Sequence, residues 1–323
     1  MLYTGICIYK ITGNTGLSSE PRWGGVVDFH VHPLPLLPEH LLLDELEASG
    51  VSKCVLLALD VDHRLLDDAG FQALIAQKVA EAGLWGLSAI DYMKTLLQLG
   101  RTPNEHVASL VRAHPDRFFG VGSINPSLGM EYVRDKLEEL RRFKLNSVKL
   151  IPTLQLFNPQ ERIEELREIF SYVASRRGLV VLHSGCDPGP WENPNLSQDA
   201  KPSKYLPLIQ EYPDVPTIIA HAGSYSMHHP AIWLDETLKI CKKHEHVWVD
   251  TAAVSYLMTE RKYVEKIRST IGMNRVLFGS DYPTVTRKTI KDSIEDVAGS
   301  TAISEEEKEA VLWLNAERLL GKL

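Results

Sequence analysis

The chain has 323 residues, of which 44% are hydrophobic and 24% charged, and its formal net charge is -7. This is the composition of a globular protein; the acidic balance argues against general nucleic-acid binding, and the lack of any long Lys or Arg run argues against a cationic membrane patch. A chain of this length buries enough surface to fold without a disulfide or a structural metal, so any bound metal is expected to be catalytic.

Cys7, Cys54, Cys186 and Cys241 are scattered, with no CxxC pair. That excludes a zinc ribbon or a dithiol redox motif and leads us to expect a reduced, cytoplasmic setting. The apolar stretch Met1–Ile11 is interrupted by Lys10 and lacks a basic segment before it, so neither a signal peptide nor a membrane span is expected. Residues 1–22, with the turn Gly13-Asn14-Thr15-Gly16, are expected to form a short N-terminal extension.

From residue 25 onward, short β-branched runs alternate with longer segments of helical period. The predicted strands are Gly25–Val31, Lys53–Leu59, Phe119–Ile124, Ser147–Ile151, Leu179–His183, Thr217–His221, His246–Asp250 and Arg275–Gly279. Their apolar runs are nearly continuous, as in parallel strands buried on both faces. Helices are predicted over Glu131–Phe143, Pro159–Arg176, Ala231–His244 and Ser304–Leu320. In the first of these, Val133, Leu137 and Leu140 share one face.

Eight strands interleaved with helices suit a closed barrel or a doubly wound sheet. The second would want a glycine-rich turn after its first strand, and here the residues are His30-Val31-His32-Pro33; no GxGxxG or Walker A sequence occurs. The expected fold is therefore α/β, a single-domain (β/α)8 TIM barrel over residues 1–323. Residues 60–117 form a long helical insertion after the second strand, placed to cap the mouth.

Active sites of such barrels lie at the C-terminal ends of the strands. The first strand ends Asp28-Phe29-His30-Val31-His32, and alternation sends both histidines to one side, where they can share a metal ion. The fifth ends at His183, the sixth at His221, and the eighth leads into Ser280-Asp281-Tyr282-Pro283. A lone HxH is weak evidence, and a single histidine ending a strand is more often a hydrogen-bonded structural residue. Four strand ends delivering four histidines and an aspartate to one mouth favour a catalytic metal centre.

The DFHVHP, VVLHSG, IIAHAG and FGSDYP segments together resemble the metal-dependent amidohydrolase superfamily, in particular the branch that includes aminocarboxymuconate semialdehyde decarboxylase. The resemblance runs from about residue 25 to the C-terminus. It implies that His30, His32, His183 and Asp281 hold one divalent ion, usually zinc, and that His221 stands beside it as an acid or base. It also raises Lys149, for which three readings stay open: a carboxylated bridge between two metals, an unmodified cation facing an anionic substrate, or a packed stem.

Other candidate pocket residues are His63, Asn125, Trp191, Tyr225 and Arg287. Trp191 reads equally as an apolar lid or a packed anchor, and Arg287 as a carboxylate clamp or a surface residue. His228 and His229, next to Pro230, read as solvent-facing or capping. Asp281 is expected to double as the base for a metal-activated water.

The expected activity is hydrolysis of a small amide, ester or lactone-type substrate carrying a carboxylate. The alternative is non-oxidative decarboxylation or hydration, and a catalytically silent binding barrel is disfavoured because no ligand position is broken. Neither nucleic acid nor membrane is an expected partner; a homodimer is the commonest assembly for such a chain.

Overall fold

A computed structural model describes residues 24–70, 72, 73, 76, 88–187, 189–285 and 288–323; the N-terminal extension and Arg287 lie outside the described residues. Eight short strands form one parallel sheet in sequence order: β1 (Val27–Val31), β2 (Lys53–Leu57), β3 (Phe118–Ser123), β4 (Ser147–Leu150), β5 (Val180–Leu182), β6 (Thr217–Ile219), β7 (Val247–Asp250) and β8 (Val276–Leu277). Each prediction found its strand. The sheet curls until its ends meet: Phe29 N–H donates to Phe278 O, Asp281 N–H to His30 O and His32 N–H to Tyr282 O, each at 2.9 Å.

Alternation along these strands fills the barrel. Val27, Phe29, Val55, Leu57, Val121, Val181, Ile218, Trp248 and Leu277 form the interior cluster, which Ala316 and Leu319 of the last helix extend. Residues of the opposite phase, such as Val148, Leu150, Val180, Leu182 and Val249, face the helix layer. At β1 the register shifts between Asp28 and Val31. Phe29 therefore belongs to the interior while Val31 belongs to the outer layer, and the two histidines flanking Val31 turn toward the mouth.

The helices agree with their periodicity. Met130–Phe143 buries Val133, Leu137 and Leu140. The last predicted helix is interrupted by a π-turn at Ala310–Leu314, where Phe278 N–H reaches Val311 O and Asn315 Nδ2 donates to Met273 O and Val276 O. The wide turn docks the helix onto β8. Among the described residues no helix is long and apolar enough to cross a membrane.

Within residues 60–117 the last helix, Asn104–Ala113, packs on the barrel: Val107 and Val111 lie against Gly120 of β3. Ahead of it, Leu66, Met93 and Leu97 share a separate apolar cluster with Leu59, Ile151, Leu156, Trp191 and Leu196. The insertion is thus fastened to the loops after β2, β4 and β5, on one side of the mouth.

Candidate metal centre

His30, His221 and Asp281 bring their donor atoms within 4.8 Å of one another, and all three residues are buried. Their strands explain the meeting. His30 lies on β1, Asp281 follows β8, and the two strands are joined by the hydrogen bond from Asp281 N–H to His30 O. His221 lies beyond the end of β6 rather than within it. It occupies the turn Ala220–Gly223 at φ 58° and ψ 18°, followed by Ala222 at φ 48° and ψ 30°. His183 likewise lies just past the end of β5. These two boundaries correct the predicted strands, and the left-handed turn is what lifts the His221 ring into the mouth.

Hydrogen bonds to groups that can only accept settle where the imidazole protons are. His30 Nδ1 lies 2.9 Å from Asp250 Oδ2, His32 Nδ1 3.3 Å from Leu57 O, and His221 Nδ1 2.9 Å from Ala252 O. Each Nδ1 therefore carries the hydrogen and each Nε2 a lone pair. His221 Nε2 accepts from His183 Nδ1 at 3.1 Å, which leaves the lone pair of His183 on Nε2. That atom is buried and makes no hydrogen bond; Asp187 Oδ2 stands 3.2 Å away but poorly aligned.

Lone pairs then face a carboxylate. Asp281 Oδ1 is 3.4 Å from His30 Nε2 and 3.5 Å from His32 Nε2. With no proton on either nitrogen, such contacts suit a cation shared between them. Ligand bonds of about 2.0–2.2 Å in a tetrahedral site imply donor–donor edges of roughly 3.3–3.6 Å, which both distances match. Charge agrees: Asp250, Asp281 and Asp187 set three acidic groups against one buried amine, Lys149. The donor set fits a divalent ion held by His30, His32 and Asp281, with the orphaned His183 Nε2 as the further nitrogen.

Electrostatics prepares the ligands in their binding forms. Burial lowers His30 to about 4, with Lys149 adding to the effect against Asp250; burial and the neighbouring His183 hold His221 well below the usual histidine range. Burial alone would raise Asp281, but the imidazoles of His32, His30 and His221 around it hold it well below the usual carboxylate range. Asp250 drops to about 2 because the charge and hydrogen bond of His30 outweigh its burial. Lys149 is fully buried, its Nζ 3.3 Å from His30 Nε2. Burial lowers it to about 8, against the pull of Asp250, Asp281 and Asp187.

The remaining candidates divide. The half-buried Tyr225 lays its ring 4.5 Å from that of His221 and 5.5 Å from that of His183, placing it in the site. Trp191 resolves as a packed anchor, 3% exposed within the insertion cluster. Asn125 is buried and its Oδ1 accepts from Ser127 N and Oγ, capping the turn Pro126–Leu128; its Nδ2 has no partner. His63 opens the turn His63–Asp67, and no contact among the described residues ties it to the histidines. Sequence reasoning passed over Asp250 and Asp187. The first ends a predicted strand at the catalytic face and so had the same signal as the histidines.

Converging histidines and an aspartate at the mouth of an eight-stranded barrel define a metal-dependent hydrolase or lyase centre. The family model described as amidohydrolase matches residues 27–322, and the chain belongs to the amidohydrolase family, as an enzyme of that metal-dependent group. A search of the curated proteins finds no match. Among solved structures, a TIM-barrel protein from Bordetella bronchiseptica is similar at TM-score 0.65 and 17% identity, covering 92% of this chain and 98% of that one. A protein from Acinetobacter baumannii assigned as a 2-pyrone-4,6-dicarboxylic acid hydrolase, with citric acid bound, has TM-score 0.59 and 14% identity over 92% and 99% of the two chains. A 5-carboxyvanillate decarboxylase mutant from Novosphingobium aromaticivorans, holding manganese, has TM-score 0.54 and 15% identity over 87% and 80%. At these identities the likeness is one of fold.

Proposed function

We propose that the chain is a hydrolase that uses one divalent ion, zinc foremost, to open a small carboxylated ester, lactone or amide. The observation that carries this reading is the convergence of His30 Nε2 and His32 Nε2 on Asp281 Oδ1 at 3.4 and 3.5 Å. When bound, the ion supplies Lewis acidity, polarising a carbonyl and lowering the pKa of water at the site.

The protein residues do the rest. Asp281 is ionised and accepts the proton that water gives up at its carboxylate. His221 Nε2, whose lone pair is fixed by the bond from Nδ1 to Ala252 O, takes up the proton released by the water by way of Asp281 and delivers it to the leaving oxygen or nitrogen. Lys149 presents a buried amine beside His30, a partner for substrate carboxylate or developing negative charge. The Tyr225 ring lies against one side of the His221 ring.

Non-oxidative decarboxylation is the second reading. It is supported by the same buried amine, which can hold a carboxylate, and by the fold shared with the Novosphingobium decarboxylase. A pH-stat assay on carboxylated lactones and esters, run beside carbon dioxide detection on hydroxybenzoates, separates the two. Acid release from the lactones without carbon dioxide is expected. Carbon dioxide release with no hydrolysis would replace the hydrolase with the lyase.

A further inference from the structure

Asp250 ends β7 with its side chain fully buried, and both of its oxygens are committed. Oδ2 lies 2.9 Å from His30 Nδ1. Oδ1 accepts from His221 N–H at 2.7 Å and from Ala252 N–H at 3.1 Å. One carboxylate therefore touches a ring on β1 and the backbone of the turn after β6, which no strand pairing brings together.

The two contacts have different consequences. A carboxylate accepts only, so the hydrogen of His30 stays on Nδ1 and the Nε2 lone pair faces Asp281. At His221 the backbone is left-handed for two successive non-glycine residues, His221 and Ala222, a conformation that side chains disfavour. The N–H bond to Asp250 holds that turn, and the turn carries the imidazole.

We infer that Asp250 is the positioning residue of this centre: it fixes His30 as a Nδ1–H tautomer able to ligate through Nε2 and pins the strained turn that presents His221. The assignment rests on the metal-centre reading above, yet it has its own observable. Outer carboxylates of this kind orient ligating histidines generally; here the same group also serves the acid–base histidine.

The Asp250→Asn variant inverts the geometry without changing its shape. Its single oxygen is still needed by His221 N–H and Ala252 N–H, so the amide nitrogen must face His30 Nδ1 and donate. The proton of His30 is then driven to Nε2, against the ion. We expect nitrogen NMR of the metal-free wild type, assigned by comparison with His30→Gln, to show His30 protonated at Nδ1. We expect the Asp250→Asn variant to show it protonated at Nε2 and to bind zinc with Kd raised by about 10–100-fold, its circular dichroism unchanged.

A wild-type His30 protonated at Nε2 overturns the assignment, and so does a folded Asp250→Asn variant with wild-type zinc affinity. Should that variant fail to fold, the wild-type tautomer decides alone. Wild-type protein that shows the Nδ1–H tautomer but takes up no zinc supports Asp250 as the orienting group and counts instead against the metal-dependent reading.

Discussion

Asp281 Oδ1 stands 3.4 Å from Nε2 of His30, a residue from the opposite end of the barrel's strand order. The contact exists because β1 and the segment after β8 close the barrel through the bond from Asp281 N–H to His30 O. It pairs two acceptors: the histidine proton is on the other nitrogen, and the aspartate is ionised. The arrangement suits a cation sharing the space, and the predictions below rest on that proposal.

His32 presents its Nε2 lone pair to the same oxygen at 3.5 Å. His32→Ala removes one ligand and leaves the barrel interior untouched. Its zinc Kd should rise at least about 100-fold, at the strong end of what disturbing a metal's surroundings costs, with unchanged circular dichroism. Competition against a chromogenic chelator measures it, and wild-type affinity would remove His32 from the ligand set.

His221 holds its Nε2 against His183 rather than against the Asp281 oxygen. His221→Ala should keep the ion and lower kcat by roughly 10²–10⁴-fold, the usual contribution of a general acid or base. Metal content and turnover measured on the same sample check both halves. Loss of the ion would make His221 a ligand.

The metal-stripped protein should grow more stable as pH rises from about 4 to 6.5. Over that window the unfolded chain binds protons that folded His30, lowered from 6.5 to about 4, and folded His221 refuse, so each favours the fold at higher pH. Asp28 opposes them. Burial raises it from 3.8 to about 7, so its contribution is present at low pH and is lost as pH climbs. Asp60, which burial also raises, acts in the same direction as Asp28, so the two histidines set the rise and the two carboxyls reduce it. Urea midpoints across the window test the sign, and His221→Asn should flatten the profile.

Trp191 is the buried contact between the loop after β5 and the insertion. Trp191→Ala should cost about 3–5 kcal/mol, as large-to-small changes at packed aromatic positions do, if the insertion and barrel unfold together. Urea unfolding gives the cost, and limited proteolysis should show earlier cleavage within residues 60–100. An unchanged midpoint would mean that the insertion does not depend on this anchor.

The fold was readable because buried parallel strands are continuous apolar runs, and each of the eight appears where such a run stands. That His30 and His32 fall on the same side of β1 followed from alternation, while the register shift that turns them to the mouth did not. His183 and His221 were expected as strand ends and lie just beyond them, because a left-handed backbone at His221 depends on a partner from β7 and not on local residues. Asp250 escaped notice for the same reason: its two bonds go to residues 220 and 29 positions away. Asn125, expected at the pocket wall, caps the turn Pro126–Leu128 through its Oδ1, a contact the sequence pattern did not announce. What local pattern can announce is a ring or a carboxylate at the catalytic face; what it cannot announce is which neighbour in space uses it.

Metal content by elemental analysis of protein purified without chelator, followed by zinc titration of the stripped protein, addresses the central claim most directly. One tightly held equivalent, lost in His30→Ala, is the expected result. Protein that carries no divalent ion and takes none up would contradict it, and two equivalents would replace the single-ion centre with one bridged through Lys149.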